Sequence, residues 1–331
     1  MIAEWDAKQA VADAGRKLLH EKLVARTWGN VSCRTGPLSF VITPSGLSYE
    51  STTADDVVSY DMTTGKWEGT RKPSSEKGVH AAAYAQFPEA GFVIHTHQTY
   101  ASALGLAGFQ SDLFSKEVRQ SLGGVALASY GLPSTKKLSA KVTTALATGA
   151  HCVLMVQHGA VIVGKNQEDA FERAKLLEAA CKAACKGQPG NPGIESPKLA
   201  DITQQIAPSF PCVACTSASA VVEVSKTTHA FRAQLDDMAQ MVGPKLVTVE
   251  MTPHTVLGAL NKYPAVLVAG GGAICRAESQ EDCDALRILV EKACVSFLHT
   301  RVLGIPATLS ALDTRLMRFI YLKKYSKKAG K

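Results

Sequence analysis

The sequence lacks any hydrophobic run long enough to cross a membrane, and nothing ahead of Asn30 resembles a signal peptide. Hydrophobic residues make up 46% of the 331 residues and the mean hydropathy is +0.03, which is typical of a soluble globular protein. Nine cysteines without a secretory signal indicate reduced thiols. We therefore expect a cytoplasmic protein that has no membrane partner.

Several binding motifs are missing as well. Gly270-Gly271-Gly272 fits neither the G-x-x-x-x-G-K nor the G-x-G-x-x-G pattern, so a turn explains it better than a phosphate loop. The C-x-x-C pair at residues 212–215 has no second pair and no adjacent histidine to complete a zinc knuckle. The net charge of +7 arises mostly from five lysines within residues 323–331. A solvated tail explains these lysines better than a nucleic-acid surface, so we expect no nucleic-acid partner.

Two histidines one residue apart, His95 and His97, end an apolar run that begins at Phe92. Residues i and i+2 of a β-strand point to the same face, so both imidazoles can aim at one point. His158 follows a second apolar run at residues 152–157. Three histidine ligands leave a coordination position open, as in a catalytic zinc site rather than a structural one. By itself, an H-x-H pair is as compatible with surface histidines or a satisfied buried pair as with a metal site.

A helix start is predicted about twenty residues upstream of the histidine pair. Pro73, Ser74, Ser75 and Glu76 precede an alanine-rich run, which is the pattern of a helix N-terminus. The serines would cap free N–H groups in an ordinary helix. The same hydroxyls at a helix N-terminus could bind an anion such as phosphate, and a glutamate near a metal could move protons.

Two further stretches offer small residues, hydroxyls and an amide to a charged ligand. The first, T-W-G-N-V-S-C-R, occupies residues 27–34. The second is a short apolar strand that ends in T-P-S-G at residues 43–46, where proline and glycine indicate a turn. The backbone could approach a charged ligand closely in both stretches.

Five motifs, T-W-G-N-V-S-C-R, T-P-S-G, P-S-S-E, H-T-H and Q-H-G, occur in this order over roughly residues 5–185. Together they resemble the class II aldolase/adducin family. The resemblance implies a three-layer α/β/α sandwich around a mostly antiparallel sheet, assembled as a homo-oligomer, either a dimer or a tetramer. It also implies a divalent ion (Zn²⁺, or another such as Mn²⁺ or Co²⁺) held by His95, His97, His158 and Glu76, with Glu76 also the acid/base residue. By the same resemblance, the phosphate of a phosphorylated sugar substrate would be bound by Thr27, Asn30, Ser45, Gly46, Ser74 and Ser75.

The resemblance predicts a metal-dependent lyase of the aldolase type, which cleaves a phosphorylated ketose through a metal-bound enediolate. Sugar-phosphate 4-epimerase and dehydratase activities stay open. In the family, a residue between the H-x-H pair and the third histidine helps to decide the reaction, and it is tyrosine in the aldolases, aspartate in the epimerase and glutamate in the dehydratase. Glu117 falls close to that position and is a candidate catalytic residue, although a solvated helix residue would give the same pattern. A non-enzymatic adducin-like module is the alternative from another class, and the retained histidines argue against it.

Length and a Gly/Pro-rich break at residues 186–193 predict two domains, a catalytic domain at residues 1–190 and a second domain at residues 200–331. The second half resembles a degenerate copy of the first, since eleven of 29 positions are identical between residues 153–181 and 266–294. His158 aligns with Gly271 in this repeat, and neither H-x-H nor P-S-S-E recurs. We therefore expect a smaller, related α/β domain without a catalytic centre.

Overall fold

The computed structural model describes residues 2–190, 193 and 196–324. It separates into two compact units, Met1–Ala184 and Cys185–Lys331. The lysine-rich tail from residue 325 onward, and positions 191, 192, 194 and 195 beside the predicted domain boundary, lie outside the described residues. None of the described helices combines the length and apolarity that a membrane span requires.

The first unit alternates strands and helices along the chain. Its strands are β1 (Asn30–Gly36), β2 (Ser39–Ile42), β3 (Val58–Asp61), β4 (Trp67–Glu68), β5 (Phe92–Thr96), β6 (Val125–Ala128), β7 (Cys152–Met155) and β8 (Ala160–Gly164). Its α-helices are α1 (Glu4–His20), α2 (Lys77–Gln86), α3 (Thr99–Leu106), α4 (Lys116–Ser121), α5 (Lys136–Leu146) and α6 (Gln167–Ala184).

The eight strands form one sheet in the order β4-β3-β2-β1-β5-β8-β7-β6. Every neighbouring pair is antiparallel except β6 and β7, which run parallel. The sheet is therefore mostly antiparallel, as predicted. Strands β5, β7 and β8 are buried along their whole length, and this explains their almost continuous apolar sequences.

Helices cover both faces of this sheet. One core joins Ile94 and Ile162 of the sheet to α1, α3 and α6, with Val11, Leu104 and Phe171 among its buried members. The other core joins Val93 and Val161 to α2 and α5, with Tyr84 and Leu138 among its members. Because successive strand residues point to opposite faces, Val93 and Ile94 enter different cores. The predicted three-layer α/β/α sandwich is confirmed.

The C-terminal end of α2 is fixed by Arg34, the last residue of the T-W-G-N-V-S-C-R motif. Its guanidinium donates to the carbonyl oxygens of Tyr84 at 2.6 Å, Phe87 at 3.0 Å and Ala90 at 2.6 Å. The last carbonyls of a helix have no partners within the helix, so a cation here satisfies them. This contact ties β1 to α2, the helix that begins at the P-S-S-E motif.

The second unit is smaller. Its strands are β9 (Cys212–Thr216), β10 (Ala230–Arg232), β11 (Lys245–Val249), β12 (Ala265–Val268) and β13 (Gly272–Ala277), in the sheet order β10-β11-β12-β13-β9. Its α-helices are α7 (Pro197–Ile206), α8 (Ser219–Thr227), α9 (Pro253–Leu260), α10 (Gln280–Val302) and α11 (Ala311–Lys324). Ser196 caps α7 by accepting a hydrogen bond from the Leu199 N–H, with Pro197 as the first helical residue.

Half of the first sheet recurs in the second unit. The order β5-β8-β7-β6 corresponds to β9-β13-β12-β11, and each corresponding pair has the same relative direction. Helices α6 and α10, which follow the repeated hairpins, both begin with the sequence Gln-Glu-Asp. The sequence repeat thus coincides with a structural repeat, which supports the interpretation of the second unit as a degenerate copy.

Candidate metal centre

Three separate segments bring histidines to one place. His95 lies in β5 and His97 directly beyond the end of that strand, whereas His158 lies in the turn between β7 and β8. Strands β5 and β8 are antiparallel neighbours, with Thr96 opposite Ala160, so the end of one strand meets the start of the other. The H-x-H pair and the third histidine therefore converge because of the strand pairing.

The imidazole nitrogens lie about as close together as ligands of one ion. His95 Nε2 is 3.1 Å from His97 Nε2 and 3.0 Å from His158 Nε2. Glu76 contributes its carboxylate, with Oε2 at 3.0 Å from His95 Nε2 and Oε1 at 3.4 Å from His158 Nε2. All four residues are buried, and none exceeds 8% exposure.

This donor set fits a divalent cation such as zinc. Bonds of about 2.0–2.1 Å in a tetrahedral site place the ligand atoms roughly 3.3 Å apart, close to the distances between these nitrogens and oxygens. His95 Nδ1 lies 2.9 Å from the carbonyl oxygen of Ala160 and can donate its N–H there. That hydrogen bond leaves the Nε2 lone pair directed toward the other histidines, the usual arrangement of a metal-binding imidazole. The three histidines form a group that could hold a metal ion.

Glu76 begins α2 as its N-cap residue, so the predicted helix start is confirmed. Burial favours the neutral acid and raises the pKa of Glu76, but the charge interactions and hydrogen bonds of His158 and His95 together outweigh burial and hold this pKa well below its usual range. An ionised carboxylate beside three imidazoles adds negative charge to the cluster. The site is therefore suited electrostatically to a cation.

Three loops carrying the expected phosphate ligands are held together by backbone hydrogen bonds. The Ser45 N–H donates to the Lys72 carbonyl at 2.9 Å, and the Ser74 N–H donates to the Thr43 carbonyl at 3.0 Å. The Thr43 N–H in turn donates to the carbonyl of Val31, the neighbour of Asn30, at 3.0 Å. The structure thus assembles Asn30, Ser45, Gly46, Ser74 and Ser75 from distant parts of the sequence.

Two of these residues are also joined to the histidine cluster and Glu76. The Ser74 hydroxyl accepts a hydrogen bond from the Glu76 N–H at 3.2 Å. Asn30 is the partner of His95 in the β1–β5 pairing. Any anion bound by these loops would therefore lie next to the histidine cluster.

Two predicted site residues have no described contact with this group. Thr27 is half-buried in the turn before β1 and, among the described residues, forms no hydrogen bond with the other expected phosphate ligands. Glu117 is exposed in the first turn of α4, where its own N–H and the Ser115 hydroxyl lower the pKa of its carboxyl. A catalytic role for Glu117 stays a prediction.

The sequence did not predict a chain of buried, hydrogen-bonded polar side chains that leads to Asn30. His80 Nε2 makes a short hydrogen bond with Asn30 Oδ1, and His80 Nδ1 lies 2.6 Å from the Ser32 hydroxyl. That hydroxyl lies 2.9 Å from the Tyr84 hydroxyl. Burial, followed by the charge of His95, lowers the pKa of His80 to about 3, although Glu76 opposes the shift. The four-residue spacing between Glu76 and His80 on one helix face was the available signal.

Fold and site together define a three-layer α/β/α protein with a centre of three histidines and a carboxylate. A family profile described as "Class II Aldolase and Adducin N-terminal domain" matches residues 9–185, which is more than half of the chain. The chain belongs to this family.

Similar proteins include an epimerase and an aldolase that are named for sugar phosphates. L-ribulose-5-phosphate 4-epimerase UlaF of Salmonella paratyphi A is 32% identical over 199 residues, which cover 56% of this chain and 87% of that protein. The solved structure of an L-fuculose 1-phosphate aldolase is 30% identical with a TM-score of 0.50, and the match covers 54% of this chain and 84% of that one. YgbL of Klebsiella pneumoniae is 22% identical with a TM-score of 0.50, covering 55% of this chain and 90% of that one, and shows the fold alone.

Proposed function

We propose that this protein is a divalent-metal-dependent lyase of the aldolase type, which cleaves a carbon–carbon bond in a phosphorylated ketose. The observation that carries this proposal is the convergence of three buried imidazoles and Glu76 beside loops rich in hydroxyl and amide groups. The epimerase and the fuculose-phosphate aldolase named above, each at least 30% identical, act by their names on a ketose phosphate. We assign the site to residues of the first unit.

The loops would bind the substrate phosphate away from the reacting bond. The Ser74 and Ser75 hydroxyls flank the N-terminus of α2, where free N–H groups favour an anion. Asn30, Ser45 and Gly46 lie on the segments hydrogen-bonded to this one. Binding energy from the phosphate would then position the sugar carbons against the histidine cluster.

Glu76 is assigned the proton transfers. Its carboxylate accepts the proton of the substrate hydroxyl whose carbon becomes the aldehyde, while the adjacent carbon–carbon bond breaks. The electron pair of that bond passes to the ketone side of the substrate, and Glu76 then returns the proton to the carbon left there. A divalent cation held by the histidines, when bound, supplies a Lewis acid for negative charge on substrate oxygens.

Sugar-phosphate 4-epimerisation is the second candidate, favoured by the 32% identity to an epimerase over 87% of that protein. Glu117 in place of the aldolase tyrosine keeps dehydration as a further outcome. Replacement of Glu117 by glutamine tests this residue, since a catalytic Glu117 predicts lower turnover at unchanged metal content. Unchanged turnover would remove Glu117 from the mechanism.

Phosphorus NMR of the zinc-loaded protein tests the function. The protein is mixed separately with L-fuculose 1-phosphate and L-ribulose 5-phosphate, and a His95→Ala variant serves as the control with a ligand removed. Dihydroxyacetone phosphate would establish aldol cleavage, whereas a second pentulose 5-phosphate would establish epimerisation. Silence with metal confirmed bound would exclude these two substrates and point to an unphosphorylated or unusual substrate, whereas silence with no metal bound would favour a non-enzymatic module. Full turnover by a metal-free His95→Ala variant would overturn the site assignment.

We also propose zinc as the metal, a dimer or tetramer as the assembly, and the cytoplasm as the location. The donor distances support zinc, although manganese or cobalt would take the same ligands. The cysteines are thiols and not disulfides in the described structure, as a reducing compartment requires. Metal analysis of the purified protein, light scattering and cell fractionation test these three points.

A further inference from the structure

Asn30, one of the expected phosphate ligands, is hydrogen-bonded through its side chain to a series of buried side chains. The chain runs from Tyr84 through Ser32 and His80 to Asn30. His80 and Ser32 are fully buried, and Tyr84 and Asn30 are 2% and 4% exposed. Side-chain hydrogen-bond chains of this kind define a single orientation for each member when all links are satisfied.

The direction of each hydrogen bond follows from the chemistry of the groups. Asn30 Oδ1 can only accept, so His80 Nε2 must carry the N–H. A neutral imidazole has one N–H, so His80 Nδ1 accepts from the Ser32 hydroxyl. The Ser32 oxygen then accepts from Tyr84. Donors and acceptors therefore match along the whole chain.

This arrangement uses only the oxygen of the Asn30 amide. Within the described part of the chain, the side-chain hydrogen bond of Asn30 is made by Oδ1, so both N–H groups of Nδ2 remain for a ligand. Asn30 also pairs in the sheet with His95, a member of the histidine cluster. Without a donor at His80, the amide could turn by half a rotation and present its oxygen, which would repel a phosphate.

We propose that His80 is a positioning residue, which holds the Asn30 amide with its N–H groups toward the substrate phosphate. The proposal rests on the proposed function, because it assumes a phosphorylated substrate at this site. It adds a residue that does not itself contact substrate. Among the described residues of the second unit, no strand pairs with β9 as β1 pairs with β5, and helix α7, the counterpart of α2, offers Ala200 where α2 has His80.

The test compares His80→Phe, which removes the donor and keeps a ring, with His80→Gln, which keeps an N–H donor. Inorganic phosphate binding to the zinc-loaded proteins is measured by calorimetry, beside metal content and the KM and kcat for the ketose phosphate. His80→Phe should weaken phosphate binding and raise KM about 10- to 100-fold, the effect of one hydrogen bond to a charged group. Metal content should not change, kcat should fall much less, and His80→Gln should restore most of the binding.

A matched control is Tyr84→Phe, which removes the far end of the chain and leaves the His80–Asn30 link intact. Its phosphate affinity should stay within about threefold of the natural protein, since it keeps the charged-group hydrogen bond. If phosphate binds the natural protein and His80→Phe equally, the positioning role is overturned while the proposed function stands. If phosphate fails to bind the natural protein, both are overturned.

Nitrogen NMR of the natural protein gives a second measurement that does not depend on folding of a variant. The expected state of His80 is a neutral ring protonated at Nε2 and unprotonated at Nδ1. A ring protonated at Nδ1 alone would reverse the hydrogen bond to Asn30 and overturn the proposal.

Discussion

At the residue scale, the histidine cluster depends on the tautomer of His95. The Ala160 carbonyl, 2.9 Å from Nδ1, fixes the proton on that nitrogen and leaves Nε2 free to bind an ion. Glu76 then lies within 3.0–3.4 Å of two of the three Nε2 atoms. A carboxylate in this position can serve both as a ligand and as the group that exchanges protons with substrate.

Replacement of Glu76 by glutamine separates these two roles. Three imidazoles remain to hold zinc, so metal content should stay near that of the natural protein. Turnover of the ketose phosphate should fall about 100- to 10,000-fold, the range for loss of a general acid or base. Steady-state kinetics and metal analysis of the same preparation check both expectations.

The matched control is Glu172→Gln, which alters an exposed glutamate of α6 that is not among the predicted ligands. It should leave both turnover and metal content unchanged. A Glu76→Gln protein that turned over substrate at the natural rate would remove Glu76 from the chemistry.

At the element scale, the closeness of β5 and β8 brings His95 and His158 together. Gly159 lies immediately before β8, and a Cβ atom there would stand 2.1 Å from the carbonyl oxygen of Thr96 and 3.4 Å from His95 Cε1. The second unit repeats this approach, since a Cβ on Gly272 would stand 2.0 Å from the Thr216 carbonyl. Glycine is therefore required at the same point of both hairpins.

Gly159→Ala should consequently push β5 and β8 apart. We expect it to lower the free energy of unfolding of the metal-free protein by about 1–3 kcal/mol, as for other overpacked buried positions. It should also weaken zinc binding at least about tenfold, because a shift of a few tenths of an ångström misplaces His95 relative to His158. Urea unfolding and zinc competition titrations measure the two effects.

Substitutions at two other glycines serve as controls for this prediction. Gly272→Ala makes the equivalent change in the second unit, where stability should fall but zinc affinity should not. Gly258→Ala lies in α9 with no atom within 4 Å of the added Cβ, and it should raise stability by up to about 1 kcal/mol through helix propensity. Unchanged zinc affinity in Gly159→Ala would show that strand spacing does not determine the site.

At the scale of the whole molecule, the architecture is duplicated, but the three histidines of the candidate site lie in the first unit. The positions of His97 and His158 correspond to Ser217 and Gly271 in the second unit, whose hydroxyl and carbonyl are joined by a hydrogen bond of 3.0 Å. A direct polar contact thus replaces the space between two imidazoles. The second unit keeps the sheet order and a glycine, Gly272, at the close approach of the strands, but it has no histidine at the positions of His97 and His158.

Removal of the metal should therefore affect only one unit. We expect a chelator added to the zinc-loaded protein to increase amide hydrogen exchange in β1, β5 and β8, since a ligand stabilises the state that binds it. Exchange in β9, β12 and β13 should stay the same. Mass spectrometry of peptides from both units measures this, with the His95→Ala protein as the control that chelator should not change. Equal increases in both units would contradict a site confined to residues 1–184.

The sequence by itself predicted the pairing of His95 with His97, the helix start at Glu76 and, through its family resemblance, the layered fold. The first two follow from local rules: alternation along a strand places His95 and His97 on one face, and a proline, two serines and a glutamate mark a helix start. The fold and the roles of His158 and Glu76 came from the resemblance of five motifs to a known family. The internal repeat was equally visible, because identical residues survive in the buried hairpin and the helix after it.

Only the tertiary structure decided how the loops assemble. Backbone hydrogen bonds between residues about thirty apart join Ser45 and Thr43 to the segment before α2, and no local pattern encodes such a pairing. The His80–Asn30 hydrogen bond spans fifty positions of the sequence. Glu117, chosen by its place in the sequence, lies exposed on α4 because packing, not spacing, selects which face of a short helix is buried.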